Sequence, residues 1–339
     1  MSNIKRFVLA KQVEGIPQLT DFKILETKLP ELKDGEILVK ALYLSVDPYM
    51  RLFMSGVKEG VDTILGEQVA RVVESKNPNY NVGDLLVCNT GWTTYSVPDK
   101  RHTGFVTELD GTFRKIDFPP DIPISYAIGL LGMPGLSAYF GLLDCCQPKE
   151  GETVYVNAAA GAVGITVGQI AKIKGCKVVG SAGSDEKVAF LKEVGFDEAF
   201  NYKTEQLDEA LTRTAPNGID CFFDNVGGLS SAVTYGHLNE RARVVVFGVI
   251  SQYNKSEQDK VPGAEITILM KRLSIKGFLF FDMVDKPDVL HKALIEMIGW
   301  IKEGRLKYKE AVIEGFENMP KAFKGIFSGD KFGKVVVKV

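Results

Sequence analysis

Small residues at a fixed spacing mark the segment of this sequence with the clearest chemistry. A short apolar run over 152–158 leads into Ala159, Gly161 and Gly164, in the spacing A-x-G-x-x-G. We predict a helix over 165–174 directly after this turn and a second strand over 177–181. Such a turn lets backbone approach a pyrophosphate, and the helix N-terminus offers it free N–H groups. A tight turn that needs small residues only for packing is the alternative. The flanking strand and helix favour a dinucleotide site.

The end of the second strand indicates which dinucleotide is bound. An enzyme that uses NAD usually places a carboxylate there, where it accepts from the ribose 2′-hydroxyl. This strand instead ends in Gly180-Ser-Ala-Gly183, which contains no carboxylate. Asp185 and Glu186 follow, and we interpret them as first-turn helix residues behind a Ser184 cap. Lys187 can pair with a 2′-phosphate, although a solvated lysine is the alternative. NADPH is favoured over NADH.

The histidines and cysteines do not form the pattern of a zinc dehydrogenase. The chain has three histidines, at positions 102, 237 and 291, and five cysteines without a C-x-x-C pair. A catalytic zinc needs three such ligands, and a structural zinc needs four. Cys88, Cys176 and Cys221 lie in apolar strand contexts and are expected to be core thiols. We therefore predict no metal, and carbonyl polarisation has to come from hydrogen bonds.

The order of the predicted elements indicates two domains in the 339 residues. The first 125 residues read as mainly β, with turns at Asp34-Gly35, at 82–84 and at Pro119-Pro120. From 126 to 305, strands alternate with helices, which predicts a doubly wound parallel α/β sheet. The six predicted strands cover 154–157, 177–181, 199–201, 220–224, 242–248 and 274–280. A last strand over 334–338 is expected to rejoin the β domain, which residues 306–339 complete.

Composition narrows the class of partner. A net charge of −2 gives no electrostatic case for nucleic acid or a membrane surface. The N-terminus lacks the apolar run of a signal peptide, and no apolar run reaches membrane-spanning length. An odd number of irregularly spaced cysteines suggests reduced thiols. We expect a cytoplasmic protein with a small-molecule substrate.

Several segments together resemble the zinc-independent medium-chain dehydrogenase/reductases, specifically the prostaglandin reductases. Members are also called leukotriene 12-hydroxydehydrogenases or NADPH-dependent alkenal/one oxidoreductases. The likeness keeps its order over nearly the whole chain. The matching segments are Ser45-Val-Asp-Pro-Tyr-Met-Arg51, Gly91-Trp-Thr-Thr94, Leu131-Gly-Met-Pro-Gly-Leu136, Val156 to Gly164, Gly180 to Lys187, Phe200-Asn-Tyr-Lys203, Asp224-Asn-Val-Gly-Gly228, Ile250-Ser-Gln-Tyr-Asn254 and Glu314 to Pro320.

The resemblance implies a GroES-like β domain with a Rossmann domain that binds NADPH or NADP+, usually in a homodimer. It also implies cofactor contacts along the strand ends of the Rossmann domain. These residues are Gly161, Ala162, Val163, Gly164, Lys187, Tyr202, Asn225, Phe247, Gly248, Val249, Ile250, Ser251, Gln252, Tyr253, Phe278, Leu279 and Phe280. Family members often carry Asn where this chain has Lys331, which can still donate to the cofactor.

The reaction that the resemblance implies is hydride transfer from NADPH to the β-carbon of an α,β-unsaturated ketone or aldehyde, such as a 15-oxoprostaglandin-like lipid or an alkenal. The protein must then supply a donor to the carbonyl oxygen and a dry pocket. Tyr253 is the leading donor, since its phenol can hydrogen-bond to the enolate and relay a proton. Tyr49 and Arg51 are candidates for the substrate side. Apolar cavity candidates are Met50, Phe53, Met54, Met133, Phe278, Phe280 and Phe281, although such residues are also typical of a core.

Other functions remain open on the same scaffold. One is an NADPH quinone reductase. Another is NADP-dependent oxidation of a lipid secondary alcohol of the leukotriene type, for which the sequence offers only tyrosines as a base. A third is a protein that binds NADPH without catalysis.

Overall fold

The computed structural model describes residues 3–98 and 114–339. Contacts divide them into two compact units. The mainly-β unit holds the described residues up to 132 together with 283–290 and 310–339, and the nucleotide-binding unit holds 133–282 and 291–309. His102 lies outside the described residues. No helix within the described ranges is both long and apolar enough to cross a membrane.

The N-terminal part of the mainly-β unit consists of strands β1 to β7, and glycine turns precede two of them, β3 and β5. Gly35 and Gly83 have φ of +82° and +100°, which other residues rarely adopt. One short helix, α1 (Met50–Phe53), follows the third strand. The strands are β1 (Asn3–Leu9), β2 (Phe22–Lys28), β3 (Ile37–Val46), β4 (Gln68–Ser75), β5 (Leu85–Cys88), β6 (Tyr95–Ser96) and β7 (Arg114–Lys115).

Aromatic side chains fill the core of this unit. Trp92 is fully buried and stacks on Phe22, with ring centroids 5.5 Å apart. Phe323 meets the same indole edge-on, also at 5.5 Å. Met50 and Met54 belong to this core as well. Both methionines pack in this core, as the alternative interpretation of these apolar residues expects.

The nucleotide-binding unit contains a parallel sheet in the order β10-β9-β8-β11-β12-β13. Its central strands are buried on both faces, so they read as continuous apolar runs. The predicted doubly wound sheet is confirmed. The strands are β8 (Thr153–Val156), β9 (Lys177–Ala182), β10 (Glu198–Asn201), β11 (Ile219–Asp224), β12 (Leu238–Val246) and β13 (Ser274–Gly277). The helices are α2 (Met133–Phe140), α3 (Ala162–Ile173), α4 (Asp185–Glu193), α5 (Leu207–Thr214), α6 (Gly228–Gly236), α7 (Glu265–Lys271) and α8 (Pro287–Lys302).

Several element boundaries differ from the prediction, and three of these differences have an identifiable cause. Helix α3 begins at Ala162 rather than 165, because the small residues after Gly161 already form its first turn. Strand β12 ends at Val246 rather than 248, because the N–H groups of Phe247 and Gly248 both donate to Asp224 O, at 2.9 and 3.1 Å. Strand β13 ends at Gly277 rather than 280, since Phe280 already begins a 3₁₀ turn.

The tail of the chain returns to the mainly-β unit, as predicted. It comprises β14 (Glu310–Glu314), α9 (Met319–Ser328) and β15 (Lys334–Lys338). Strand β15 pairs antiparallel with β3 and parallel with β14. The sheet of this unit therefore runs β14-β15-β3-β4-β5-β7.

Candidate functional site

The turn between β8 and α3 has the geometry of an anion site. Ala158 adopts φ +46°, and its carbonyl accepts from Gly161 N at 3.1 Å. Gly161 is the N-cap of α3 and, as a glycine, provides no side-chain cap to the N–H groups of the first turn. Backbone N–H groups of a first helical turn point outward and attract a negative charge. This end of the helix can hold a phosphate.

The glycines of this segment serve different purposes. A Cβ on Gly164 would lie 2.7 Å from Ala158 O and 2.7 Å from Ala159 Cα, so only glycine allows this closeness of helix and turn. A Cβ on Gly180 would meet the ring of Phe196 at 2.8 Å. Within the described ranges, and apart from its chain neighbours and its own helix backbone, an added Cβ on Gly161 would meet only Ala158 O within 4 Å, at 3.3 Å, which leaves room beside it for a ligand. Gly164 and Gly180 are thus required by close packing, whereas Gly161 leaves space for a ligand.

The end of β9 carries no carboxylate, and the two acids that follow it lie in the first turn of α4. Ser184 caps this helix, with Oγ accepting from Lys187 N at 3.4 Å. Asp185 Oδ1 accepts from Asn201 Nδ2 at 2.8 Å, so this carboxylate is engaged with the neighbouring strand end. The predicted cap and the predicted role of the two acids are confirmed.

Tyr202 and Lys203 lie against the same strand end. A Cβ on Gly183 would be 3.0 Å from the Tyr202 hydroxyl and 3.2 Å from Lys203 Cε. Tyr202 N donates to Ala182 O at 3.1 Å, which fixes the position of this segment. Sequence reasoning missed Lys203 as a candidate. Its position two residues after the third strand of the unit was the available signal.

A buried carboxylate organises the neighbouring strand ends. Asp224 ends β11, and its side chain accepts from Asn157 Nδ2 at 2.7 Å and from Ser231 Oγ. It also accepts from the N–H groups of Val226 and Gly227, both at 3.0 Å. The loop at 225–228 is therefore held against the end of β8. Sequence reasoning did not single out Asp224, although an acid at the end of an apolar strand was visible.

Asn225 continues this arrangement. Its N–H donates to Asn157 Oδ1 at 2.6 Å, and its Nδ2 donates to Asn157 O at 2.9 Å. Its carbonyl accepts from Ile250 N at 3.3 Å. Asn225 thus ties the loop at 247–253 to the ends of β8 and β11.

The loop at 247–253 folds so that the Tyr253 side chain contacts the backbone of the same loop. Val249 N donates to the Tyr253 hydroxyl oxygen at 3.4 Å, and Ser251 Oγ donates to Val226 O at 2.7 Å. Burial raises the pKa of Tyr253, so the phenol stays protonated at neutral pH. A neutral phenol that accepts one bond still has its own hydrogen to donate.

Aromatic rings line the next two strand ends. The rings of Phe247 and Phe278 lie 6.4 Å apart, and Phe223 lies 5.8 Å from Phe247. Phe278 is buried, whereas Leu279 is exposed. Phe280 is half-buried at the start of its 3₁₀ turn. These residues can provide an apolar wall beside a flat ring.

Tyr49 and Arg51 belong to the mainly-β unit, around the start of α1. The pKa of Tyr49 is raised well above its usual value by burial and by the carboxylates of Asp47 and Glu67. Arg51 is partly buried, and its Nη2 donates to Val13 O at 2.9 Å. Lys331 is exposed between α9 and β15.

No three metal-ligating side chains come together within residues 3–98 and 114–339. The five cysteines are free thiols, and Cys88, Cys176 and Cys221 are buried as predicted. Burial raises the pKa of the Cys176 thiol to about 11, so it is unreactive at neutral pH.

Comparisons with known proteins agree with this geometry. Residues 5–106 match a family described as the N-terminal domain of oxidoreductase, and residues 162–300 match one described as zinc-binding dehydrogenase. The chain is 49% identical to prostaglandin reductase 1 of Bos taurus, over the full length of both chains. It is 43% identical to the NADP(+)-dependent 2-alkenal reductase of Nicotiana tabacum, covering 99% of this chain and 97% of that protein. CurA from Vibrio vulnificus, solved in complex with NADPH, superposes with a TM-score of 0.89 at 38% identity, covering 99% of each chain.

Proposed function

The chain belongs to the zinc-independent medium-chain dehydrogenase/reductases, in the group of the prostaglandin reductases, and on that premise we propose that it reduces the carbon–carbon double bond of α,β-unsaturated ketones and aldehydes with NADPH. In this proposal residues 126–305 form the NADPH-binding domain. Residues 1–125, completed by 306–339, form the domain that binds the substrate.

The uncapped N-terminus of α3 above its glycine turn is the observation that carries NADPH binding. It gains support from CurA, a relative at 38% identity that binds NADPH. We propose that the residues from Gly161 to Gly164 hold the pyrophosphate. The adenosine and nicotinamide contacts are proposed along the strand ends, at Lys187, Tyr202, Asn225, Phe247, Gly248, Val249, Ile250, Ser251, Gln252, Tyr253, Phe278, Leu279, Phe280 and Lys331.

Lysines beside the end of β9 support NADPH rather than NADH. A 2′-phosphate carries up to two negative charges, and a carboxylate at this strand end would repel it. The side chain of Asp185 is engaged with Asn201. Lys203 lies against Gly183, and Lys187 lies in the first turn of α4. We propose that both lysines contact the 2′-phosphate.

NADPH, when bound, supplies a hydride for the β-carbon of the enone. The chain's own task is to stabilise the negative charge that develops on the carbonyl oxygen. Tyr253 is suited to it, because its phenol is neutral and its oxygen is already held by Val249 N. We propose that Tyr253 donates its hydrogen bond to this oxygen. Tyr49 and Arg51 are the proposed substrate contacts in the mainly-β unit.

An exposed apolar surface on the nucleotide-binding unit supports a homodimer. Helix α7 leaves Ile266, Leu269 and Met270 exposed by 79, 73 and 66%, and β13 is an edge strand of the sheet. Apolar side chains beside an open strand edge favour pairing with a second copy. Leu269→Glu is expected to shift the sedimentation coefficient to that of a monomer. Leu19→Glu, at an exposed site of the other unit, is the matched control. All five thiols are free, which supports the cytoplasm as the compartment.

The test follows NADPH oxidation against a chain-length series of enals and enones, with naphthoquinone and a lipid secondary alcohol as competing substrates. NADPH deuterated at the transferred position is expected to label the β-carbon of the product. Faster turnover of the quinone than of every enone would favour a quinone reductase instead. Tight NADPH binding without turnover of any substrate would favour a protein that only binds the cofactor.

A further inference from the structure

The strand order of the parallel sheet indicates which strand ends each half of the cofactor meets. The order β10-β9-β8-β11-β12-β13 reverses between β8 and β11. A dinucleotide lies across the strand ends at such a reversal, with one mononucleotide half on each side. The glycine turn and the proposed 2′-phosphate contacts follow β8, β9 and β10. The nicotinamide half therefore belongs to the ends of β11 and β12, and Asp224 is the last residue of β11.

The carboxyl group of Asp224 fixes the loop that follows β11. The residue is only 1% exposed. Its Oδ1 accepts from the N–H groups of Val226 and Gly227, both at 3.0 Å, and from Asn157 Nδ2 at 2.7 Å. Its Oδ2 accepts from Ser231 Oγ in helix α6. One carboxyl group thus ties this loop to its own strand, to the end of β8 and to the helix that follows.

The loop after β11 in turn holds the loop after β12. Val226 O accepts from Ser251 N at 3.1 Å and from Ser251 Oγ at 2.7 Å. A Cβ on Gly227 would lie 2.8 Å from Val249 Cγ1 and 3.3 Å from Val249 Cα, so the two loops touch where a larger residue does not fit. The carboxyl group of Asp224 therefore supports Ser251 and Val249, two of the proposed cofactor contacts, through a continuous series of contacts.

The backbone of the loop after β11 has little rigidity of its own. Gly227 and Gly228 have φ of +71° and +65°, so two successive glycines lie in the left-handed region. Glycine loses more conformational freedom than any other residue when it is ordered, and many other conformations are open to it. The bonds from the N–H groups of Val226 and Gly227 to Asp224 select one of these conformations. A nicotinamide ring then meets loops that folding has already ordered.

We propose that Asp224 preorganises the nicotinamide half of the cofactor site and thereby sets both the affinity for this half and the rate of hydride transfer. This inference rests on the proposed function. Asp224 is buried and acts through Val226, Gly227 and Ser251, so it is a positioning residue. A displacement of about 1 Å in a reacting group costs about 100-fold in rate, which is why a rigid support matters. The adenosine half, at the ends of β8, β9 and β10, does not depend on this carboxyl group.

The test titrates the protein with NADPH and with adenosine 2′,5′-bisphosphate, which carries the adenosine half alone. Asp224→Ala is expected to raise the Kd for NADPH at least about tenfold and to change the Kd for the bisphosphate by less than about threefold. Any result for Asp224→Ala other than this selective loss of NADPH affinity would overturn the inference.

Asp220→Ala is the matched control, because Asp220 lies near the opposite end of the same strand and also holds neighbouring groups. Its carboxyl oxygens accept from Thr153 N and from Asn239 Nδ2, both at 2.8 Å. Asp220→Ala should leave both dissociation constants within about threefold of wild type. A selective loss of NADPH affinity in Asp220→Ala as large as that in Asp224→Ala would also overturn the inference.

Asp224→Asn separates positioning from a general loss of stability. It keeps Oδ1, which accepts from Val226, Gly227 and Asn157. Its new amide faces Ser231 Oγ, which can accept as well as donate. At saturating NADPH, single-turnover hydride transfer should be about 100-fold slower than wild type in Asp224→Ala and within about threefold of wild type in Asp224→Asn. Equal impairment of the two variants would contradict the inference.

Hydrogen exchange of the wild type gives a readout that needs no folded variant. In the cofactor-free protein, the amide hydrogens of Val226 and Gly227 are expected to exchange at least about 100-fold more slowly than in an unstructured peptide. Amides that become protected only when NADPH is added would show that the cofactor orders the loop, and would refute the inference. Failure of the wild type to bind NADPH, or to transfer hydride to any enone, would instead refute the proposed function.

Discussion

Gly164→Ala tests whether the approach of α3 to its turn creates the pyrophosphate site. The new methyl carbon would lie 2.7 Å from Ala158 O and from Ala159 Cα, both backbone atoms that cannot rotate away. An ordinary contact begins at 3.4 Å, so the first turn of α3 has to move by about 0.7 Å. Overpacking of this kind costs about 1–3 kcal/mol, and the better helix propensity of alanine returns at most about 1 kcal/mol.

The same displacement lengthens hydrogen bonds from the helix N-terminus to a bound phosphate. Loss of one charge-assisted bond is worth about 1.5–3 kcal/mol, so the Kd for NADPH is expected to rise roughly 10- to 100-fold. The assay is a fluorescence titration of NADPH, together with the melting temperature. Gly299→Ala is the control, because this helical glycine has no neighbour within 4 Å of an added Cβ. A Kd for Gly164→Ala within threefold of wild type would refute the reasoning.

Three further predictions concern other groups. Lys187→Ala and Lys203→Ala should each lower the preference for NADPH over NADH about tenfold in titrations with both cofactors, whereas Lys192→Ala, whose lysine pairs with Glu198, should leave it unchanged. Tyr253→Phe should lower kcat about 100-fold with the Kd for NADPH nearly intact; unchanged hydride transfer and proton uptake would remove it from the mechanism. The pKa of Glu67 is about 7 in the folded protein and 4.5 in the unfolded chain. The protonated carboxyl group therefore stabilises the folded state fully below pH 4.5, and this stabilisation is lost as the pH rises through 7. The unfolding free energy of wild type relative to Glu67→Gln should therefore fall by about 3 kcal/mol from pH 4 to pH 8 in denaturant titrations, and an unchanged difference would contradict the assignment.

The parts of the fold that depend on local pattern could be predicted from the sequence. The glycine turn, its two strands and the Ser184 cap all follow from neighbouring residues. The ends of β12 and β13 could not be predicted in this way. The end of β12 is set by Asp224 O, an acceptor on another strand, and no local pattern reports such a contact.

The candidate site shows the same division. The glycines of the turn and Lys187 could be predicted from the sequence, because the βαβ motif has a fixed spacing. Lys203 and Asp224 gain their roles from the way strand ends meet across the sheet. From the sequence, Glu67 is one polar residue before an apolar strand, and only the fold buries its carboxyl group near Asp47, Arg114 and Lys334. An apolar residue such as Met50 suits the wall of a cavity as well as a packed core, so the residue type alone could not distinguish the two environments.

The pairing of β15 with β3 has a consequence for synthesis on the ribosome. The nucleotide-binding unit is fully translated by residue 309, while β3 can pair with β4 but still lacks β15 on its other side. Until residues 334–338 leave the exit tunnel, the nascent β3 presents an open edge and Asp47 lacks Lys334, the cation that it pairs with. The domain made first is thus completed last, and chaperones that shield nascent chains should engage this protein through β3 during that interval.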